Sequence, residues 1–191
     1  MRFEKGHKEA TRQKIVETAA ARFRKDGIAA VGIAGLMADA GLTHGGFYAH
    51  FGSKEELVRE ALSAGAAGSR ARLEQASADK ISGLESYIRT YLRPAHRDAP
   101  ERGCIIATLG AELARHEPET RAAFSAQINT LLDRIAAMLP ADRRAEDRRA
   151  AATGIFGVMS GTLQLARAVT DPAESGRILE SGIAAALRLA E

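Results

Sequence analysis

The sequence predicts an all-α fold of about nine helices, and three observations carry that expectation. Alanine, leucine, arginine and glutamate are abundant while β-branched residues are sparse, a composition that favours helix. Apolar residues recur at spacings of three and four along most of the chain. No stretch alternates as a half-buried strand would, and no internal repeat or low-complexity linker interrupts the pattern.

The elements follow in order. Ile15, Ala19 and Phe23, flanked by Val16 and Ala20, give a first helix that Asp26-Gly27 closes through a residue tolerant of the left-handed turn. A short second helix runs from about Ile33 to Ala40, entered through Gly32, with Val31 and Leu36 at the spacing of a hydrophobic staple. Gly41 breaks it. Thr43 caps a third short helix, with Leu42 and Phe47 again at staple spacing, and this helix ends near Phe51-Gly52. Ser53 opens a long fourth helix, and Glu56 three residues on completes a capping box. Leu84, Ile88 and Tyr91 mark the next helix, and the stretch "RPAHRDAPERG" after it reads as a loop. A shorter helix spans Cys104 to about His116; "EPETRAAF" starts another, striped by Phe124, Ile128, Leu131, Ile135 and Met138. The last two run roughly from Asp142 to Ala168 and from Pro172 to Ala190, carrying Ile155, Met159 and Leu163, then Leu179, Ile183 and Leu187.

Length and cysteine usage bound the function. The 191 residues contain no transmembrane-length apolar run and no secretory leader pattern, so a soluble cytoplasmic protein is expected. The single cysteine, Cys104, excludes an intrachain disulfide framework and a cysteine-rich zinc site. The formal net charge of +3 is mild, but its distribution is not even. Between Met1 and Lys54 lie Arg2, Lys5, Lys8, Arg12, Lys14, Arg22, Arg24, Lys25 and Lys54, against only Glu4, Glu9, Glu17, Asp26 and Asp39. The basic end is the place to look for nucleic acid.

Within that end, "GLTHGGFYAHF" (Gly41 to Phe51) crowds glycines, histidines and aromatic rings together. Two short helices joined by a glycine-containing tight turn make a helix-turn-helix, whose second helix enters the major groove. Gly45 and Gly46 each cost about 1 kcal/mol in helix propensity, which close approach to a duplex explains. Thr43, His44 and Tyr48 are positioned to meet phosphates and base edges, with His50 at the far end of the same helix. Phe47 and Phe51 fall on the opposite face and should anchor the helix through Phe23 and Ile15. Lys54 sits in the first turn of the fourth helix, poor macrodipole placement for a cation unless a phosphate sits there too.

The stretch from Ile15 to Leu62 resembles the N-terminal DNA-binding domain of TetR/AcrR-type transcriptional regulators. The resemblance rests on "AAARF", the "AG" turn, the spacing T-x-G-x-F-Y-x-H-F, and a lysine following a small N-cap. Gly32 and Met37 depart from it, standing where the family usually has serine or threonine and a small alanine. "RGCIIATLGAEL" resembles the start of the sixth helix in one broad subgroup. The resemblance implies a helix-turn-helix domain over residues 1–54 and a helical effector-binding and dimerisation domain over 55–191. It also implies a homodimer on a palindromic operator, acting as a repressor that a small-molecule effector releases.

Other residues have competing readings. A separation of six puts His44 and His50 on different helix faces, against a shared zinc site, and no cofactor or metal is expected. Tyr87 and Tyr91 read as core at helical spacing, with hydroxyls on a cavity as the alternative; with Cys104, Leu109, Phe124 and Ile128 they form the candidate effector pocket. His96 and His116 read as solvated or locally hydrogen-bonded. Gly154, Gly157 and Gly161, with Leu179, Ile183 and Leu187 on the last helix, are the candidate dimer interface, where small residues permit close approach. Cys104 follows Gly103 at a helix start beside Arg102, so an electrophile- or redox-responsive repressor is an alternative; a small packed residue is the preferred reading. An all-α enzyme or a module that does not bind DNA is the rival class, and no catalytic constellation supports it.

Overall fold

The structure, a computed structural model, describes residues 2–77 and 83–191. Among these are nine α-helices, two 3-10 segments and no strand. The helices are α1 (Arg2–Asp26), α2 (Ile33–Asp39), α3 (Lys54–Ser77), α4 (Gly83–Tyr91), α5 (Pro94–Arg97), α6 (Ile105–Leu113), α7 (Pro118–Ala137), α8 (Ala145–Ala168) and α9 (Pro172–Ala190). The 3-10 segments are His44–Ala49 and Pro100–Arg102.

Local chemistry accounts for most boundaries. α1 stops where Gly27 takes φ +83° and its amide returns to the Phe23 carbonyl at 2.9 Å, a left-handed cap. Gly41, at φ +70°, ends α2 in a Schellman motif: its amide bonds the Ala38 carbonyl, and the Leu42 amide bonds the Met37 carbonyl. The Glu56 amide donates to Ser53 Oγ at 3.1 Å, while the Glu56 carboxylate reaches back one residue past the cap to the Gly52 amide. That bond, followed by Arg12, holds the Glu56 carboxyl below its ordinary value. Asp171 caps α9 through the Ala173 amide, with Pro172 in the first turn.

Five expectations are corrected. The loop after α4 contains α5 and the Pro100–Arg102 turn, because Pro94 and Pro100 pre-set helical φ at each start. α6 ends at Leu113 rather than near His116, and α8 begins at Ala145 rather than Asp142. The third predicted helix is 3-10 rather than α: Gly46 and His50 bond the carbonyls three residues back, as two adjacent glycines in a six-residue segment favour. Thr43 makes no side-chain capping bond.

Two apolar cores result. One joins α4, α7, α8 and α9 through Tyr87, Ile88, Ile135, Ile155, Met159 and Leu179. The other holds the N-terminal unit together through Ile15, Phe23, Leu36, Phe47, Phe51 and Leu57, and takes in Ile105, Leu109, Leu113 and Phe124 as well. α6 therefore contributes its apolar stripe to the N-terminal core. No helix among the described residues is long and apolar enough to cross a membrane.

Candidate nucleic-acid interface

The segment His44–Ala49 is anchored from beneath. Phe47 is fully buried, stacks on Phe51 at 5.5 Å, and sits edge-on to Tyr48 at 5.3 Å. The Arg12 guanidinium covers the Phe51 ring at 4.3 Å and pairs with Glu56 and Glu60 of α3, which locks α1 to α3 below the segment.

What remains outward is Thr43, His44, Gly45 and Tyr48, all exposed. Tyr48 is 64% exposed, one of few large apolar side chains so placed, and His44 meets its ring edge-on at 6.2 Å. The two glycines differ. A Cβ at Gly46 would touch Met37 Cε at 3.6 Å, so Met37 fills the space beneath the segment; a Cβ at Gly45 would meet nothing within 4 Å. Gly45 has negative φ, so neither packing nor backbone conformation within the chain requires glycine there.

His50 and Lys54 are placed differently from the simple sequence picture. His50 Nδ1 is buried and unpartnered; burial, then the charges of Lys8 and Arg12, hold its imidazole below the ordinary value. Lys54 Nζ donates to the Ile28 carbonyl at 2.6 Å, so the cation has a protein partner. Lys8 and Arg12, beside His50, are basic neighbours of the segment that the motif alone did not single out; the basic excess of α1 was the available signal.

The remaining nominated residues divide. Tyr87, Tyr91 and Cys104 lie buried in the α4/α7/α8/α9 core, whereas Leu109 and Phe124 lie in the N-terminal core and Ile128 packs against both. The six thus do not share one lining, because α6 turns its stripe toward α1 and α3. Tyr91 Oη is buried without a hydrogen-bond partner, and burial, then neighbouring Cys104, pushes the phenol well above its ordinary value. Cys104 is fully buried at the N-cap of α6. His96 is buried rather than solvated: its Nε2 accepts the Cys104 amide at 3.0 Å, so Nδ1 carries the proton and donates to the Tyr91 carbonyl at 2.6 Å.

The dimer nominations also divide. Leu179 and Ile183 are buried within the chain's own core and Leu187 packs against it, because α9 aims its apolar stripe at α8 and α4. Gly154 and Gly157 are exposed and Gly161 partly so, and the same side of α8 and α9 carries Leu165, 61% exposed, and Leu189, 42% exposed. α8 and α9 approach closely at Gly182, which the periodicity did not mark: a Cβ there would run into the Thr162 side chain.

Family models match over two stretches: "Bacterial regulatory proteins, tetR family" over residues 15–61 and "Tetracyclin repressor-like, C-terminal domain" over residues 80–181. The chain belongs to the TetR family. It is a helix-turn-helix DNA-binding transcriptional regulator, not an enzyme. A TetR transcriptional regulator from Chloroflexus aurantiacus is similar over 100% of this chain and 95% of its own, at 26% identity and a TM-score of 0.78. A TetR-family regulator from Streptomyces coelicolor matches over 94% and 95%, at 24% identity and a TM-score of 0.74. Reduced NemR of E. coli shares the fold over 95% and 98%, at 18% identity and a TM-score of 0.78. No curated protein matches the chain.

Proposed function

We propose that the chain is a homodimeric one-component repressor whose two reading segments engage a palindromic operator and whose helical core releases it on binding a small molecule. The observation that carries the DNA-reading face is the outward row Thr43, His44, Gly45 and Tyr48, in which Gly45 has open space where a side chain would be. Thr43, His44 and Gly45 set sequence preference in this reading, Tyr48, His50 and Lys54 meet phosphates, and Gly46 faces Met37 beneath the segment. The exposed side of α8 and α9, with Gly154, Gly157, Gly161, Leu165 and Leu189, supports pairing with a second copy. The unpartnered Tyr91 hydroxyl supports an effector site in the core, since a buried donor without an acceptor costs about 1–3 kcal/mol. An effector supplying an acceptor there favours the conformation it binds, and one that misplaces the two segments relative to grooves about 34 Å apart releases the operator. The buried position of Cys104 favours a non-covalent effector over thiol chemistry.

The test is selection of bound duplexes from a random pool, followed by titration of the full chain onto the selected site. Inverted half-sites, two chains per duplex and affinity that falls steeply with salt are expected. Placed over a promoter in a purified transcription reaction, the site should lower transcript output when the protein is added. A rise in output makes the protein an activator, and binding of one chain to an asymmetric site removes the palindrome.

A further inference from the structure

The turn between α1 and α2 directs its polar backbone atoms at two different helices. Gly27, at φ +83°, turns the chain so that two successive amides are taken by one carboxylate of α6. The Ile28 amide donates to Glu112 Oε2 at 3.0 Å and the Ala29 amide to Oε1 at 2.6 Å. The contact is close: a Cβ on Gly27 would stand 3.2 Å from Glu112 Oε2. The carbonyl of Ile28, between those amides, is held by Lys54 at the start of α3. Successive amides in such a turn form a concavity suited to an anion. Here α6 fills it.

We propose that Glu112 is a positioning residue for operator recognition: it clamps the α1–α2 turn to α6 and thereby sets the spacing between the two reading segments of the dimer. The proposal rests on the reading of a dimer on paired half-sites. Apolar packing of Ile105, Leu109 and Leu113 against the N-terminal core holds α6 in place but is non-directional, so it resists separation more than sliding or rotation. A carboxylate accepting two amides is directional and fixes that register. Other polar ties cross the same boundary among the described residues. Arg24 Nε donates to the Glu101 carbonyl at 2.6 Å, Glu55 takes His116 Nδ1 at 2.9 Å and Thr120 Oγ1 at 2.7 Å, and Arg59 pairs with Glu119 at 3.6 Å. These hold the bodies of α1 and α3, whereas Glu112 holds the turn from which the helix-turn-helix departs. A shift of α6 by roughly an ångström takes both Glu112 bonds beyond hydrogen-bonding range, so movement in the core reaches the reading segment through this contact.

The experiment uses the full chain and duplexes carrying two inverted copies of its selected half-site at varied spacings, with a single half-site duplex as reference. Glu112→Gln keeps the size but puts an NH2 group against an amide donor; Glu112→Asp keeps the charge but withdraws it by one methylene. In both variants the parent's preference for one spacing should fall by about tenfold. Single half-site affinity should stay within about twofold of the parent, since the reading segment itself is untouched. Hydrogen exchange at the Ile28 and Ala29 amides should quicken while α2 keeps its protection. The proposal is overturned if both variants keep the parent's spacing preference, or if affinity falls equally at every spacing and at the single half-site, which makes Glu112 a stabilising residue only. If the parent shows no advantage for paired half-sites, the dimer reading fails and the proposal falls with it.

Discussion

Replacing Gly45 by alanine separates folding from DNA reading. The added methyl meets no protein atom within 4 Å, and φ at this position is negative, so the fold accepts it. A glycine-to-alanine change at a compatible position stabilises by about 0.4–1 kcal/mol, chiefly by restricting the unfolded chain. For a chain of this size that raises Tm by roughly 1–4 °C. On the operator the same methyl enters a contact already at close range, and overpacking costs about 1–3 kcal/mol, or about 5- to 150-fold in affinity per half-site. Calorimetry gives Tm, and fluorescence anisotropy on the selected operator at fixed salt gives affinity. Gly46→Ala is the control: its Cβ would lie 3.6 Å from Met37 Cε and 3.7 Å from Thr43 Oγ1, ordinary contact distances on the inner side, and operator affinity should stay within a few-fold of the parent, about 1 kcal/mol or less. Parent-like operator affinity of Gly45→Ala, or a marked loss of its Tm, refutes the argument that the space above Gly45 is reserved for DNA.

Gly182→Ala drives a methyl into Thr162 across the α8–α9 contact and should destabilise by about 1–3 kcal/mol, read as a lower Tm, with Thr162→Ala in the same chain recovering part of the loss. Leu165→Glu, on the exposed side of α8, should shift sedimentation from dimer toward monomer while leaving helical content unchanged; an unaltered dimer places the interface elsewhere. His50 has a pH signature: its folded value is lowered, so the unfolded chain binds more protons, and stability should decline as pH falls through about 6.5 and level off once the folded form also titrates. His50→Asn should remove that limb of the Tm-against-pH curve, and an unchanged curve assigns the limb to another group.

Local chemistry was legible because its signals lie within a few residues of each other. Gly27 adopts the left-handed conformation expected of it, Gly41 ends α2 as expected, Ser53 and Glu56 do cap α3, and Phe47 does turn inward beneath Tyr48. What the sequence hides is which partner a stripe faces. The α6 stripe looks the same whether it meets the effector core or the N-terminal unit, so the sequence groups Leu109 and Phe124 with Tyr91 although they belong to the N-terminal core. The α9 stripe equally serves an intrachain core or a dimer, and Leu179 and Ile183 fell to the former. Glu112 lies within the stretch "RGCIIATLGAEL" that the resemblance picks out, but its role is not legible there: its partners are backbone amides more than eighty residues away, which no side-chain pattern encodes. The 3-10 character of the reading segment depends on two glycines whose helix cost was visible but whose hydrogen-bond register was not.

The central claim is that the outward face of His44–Ala49 reads base sequence, and the most direct measurement is bound-sequence selection with the parent and with His44→Ala side by side. His44 is exposed beside Tyr48 and makes no packing contact on which the fold depends. The account predicts an unchanged Tm and a changed or relaxed base preference at one position in each half-site, worth about 1–3 kcal/mol at that position. An identical selected sequence for both proteins, at equal affinity over a range of salt concentrations, would contradict it.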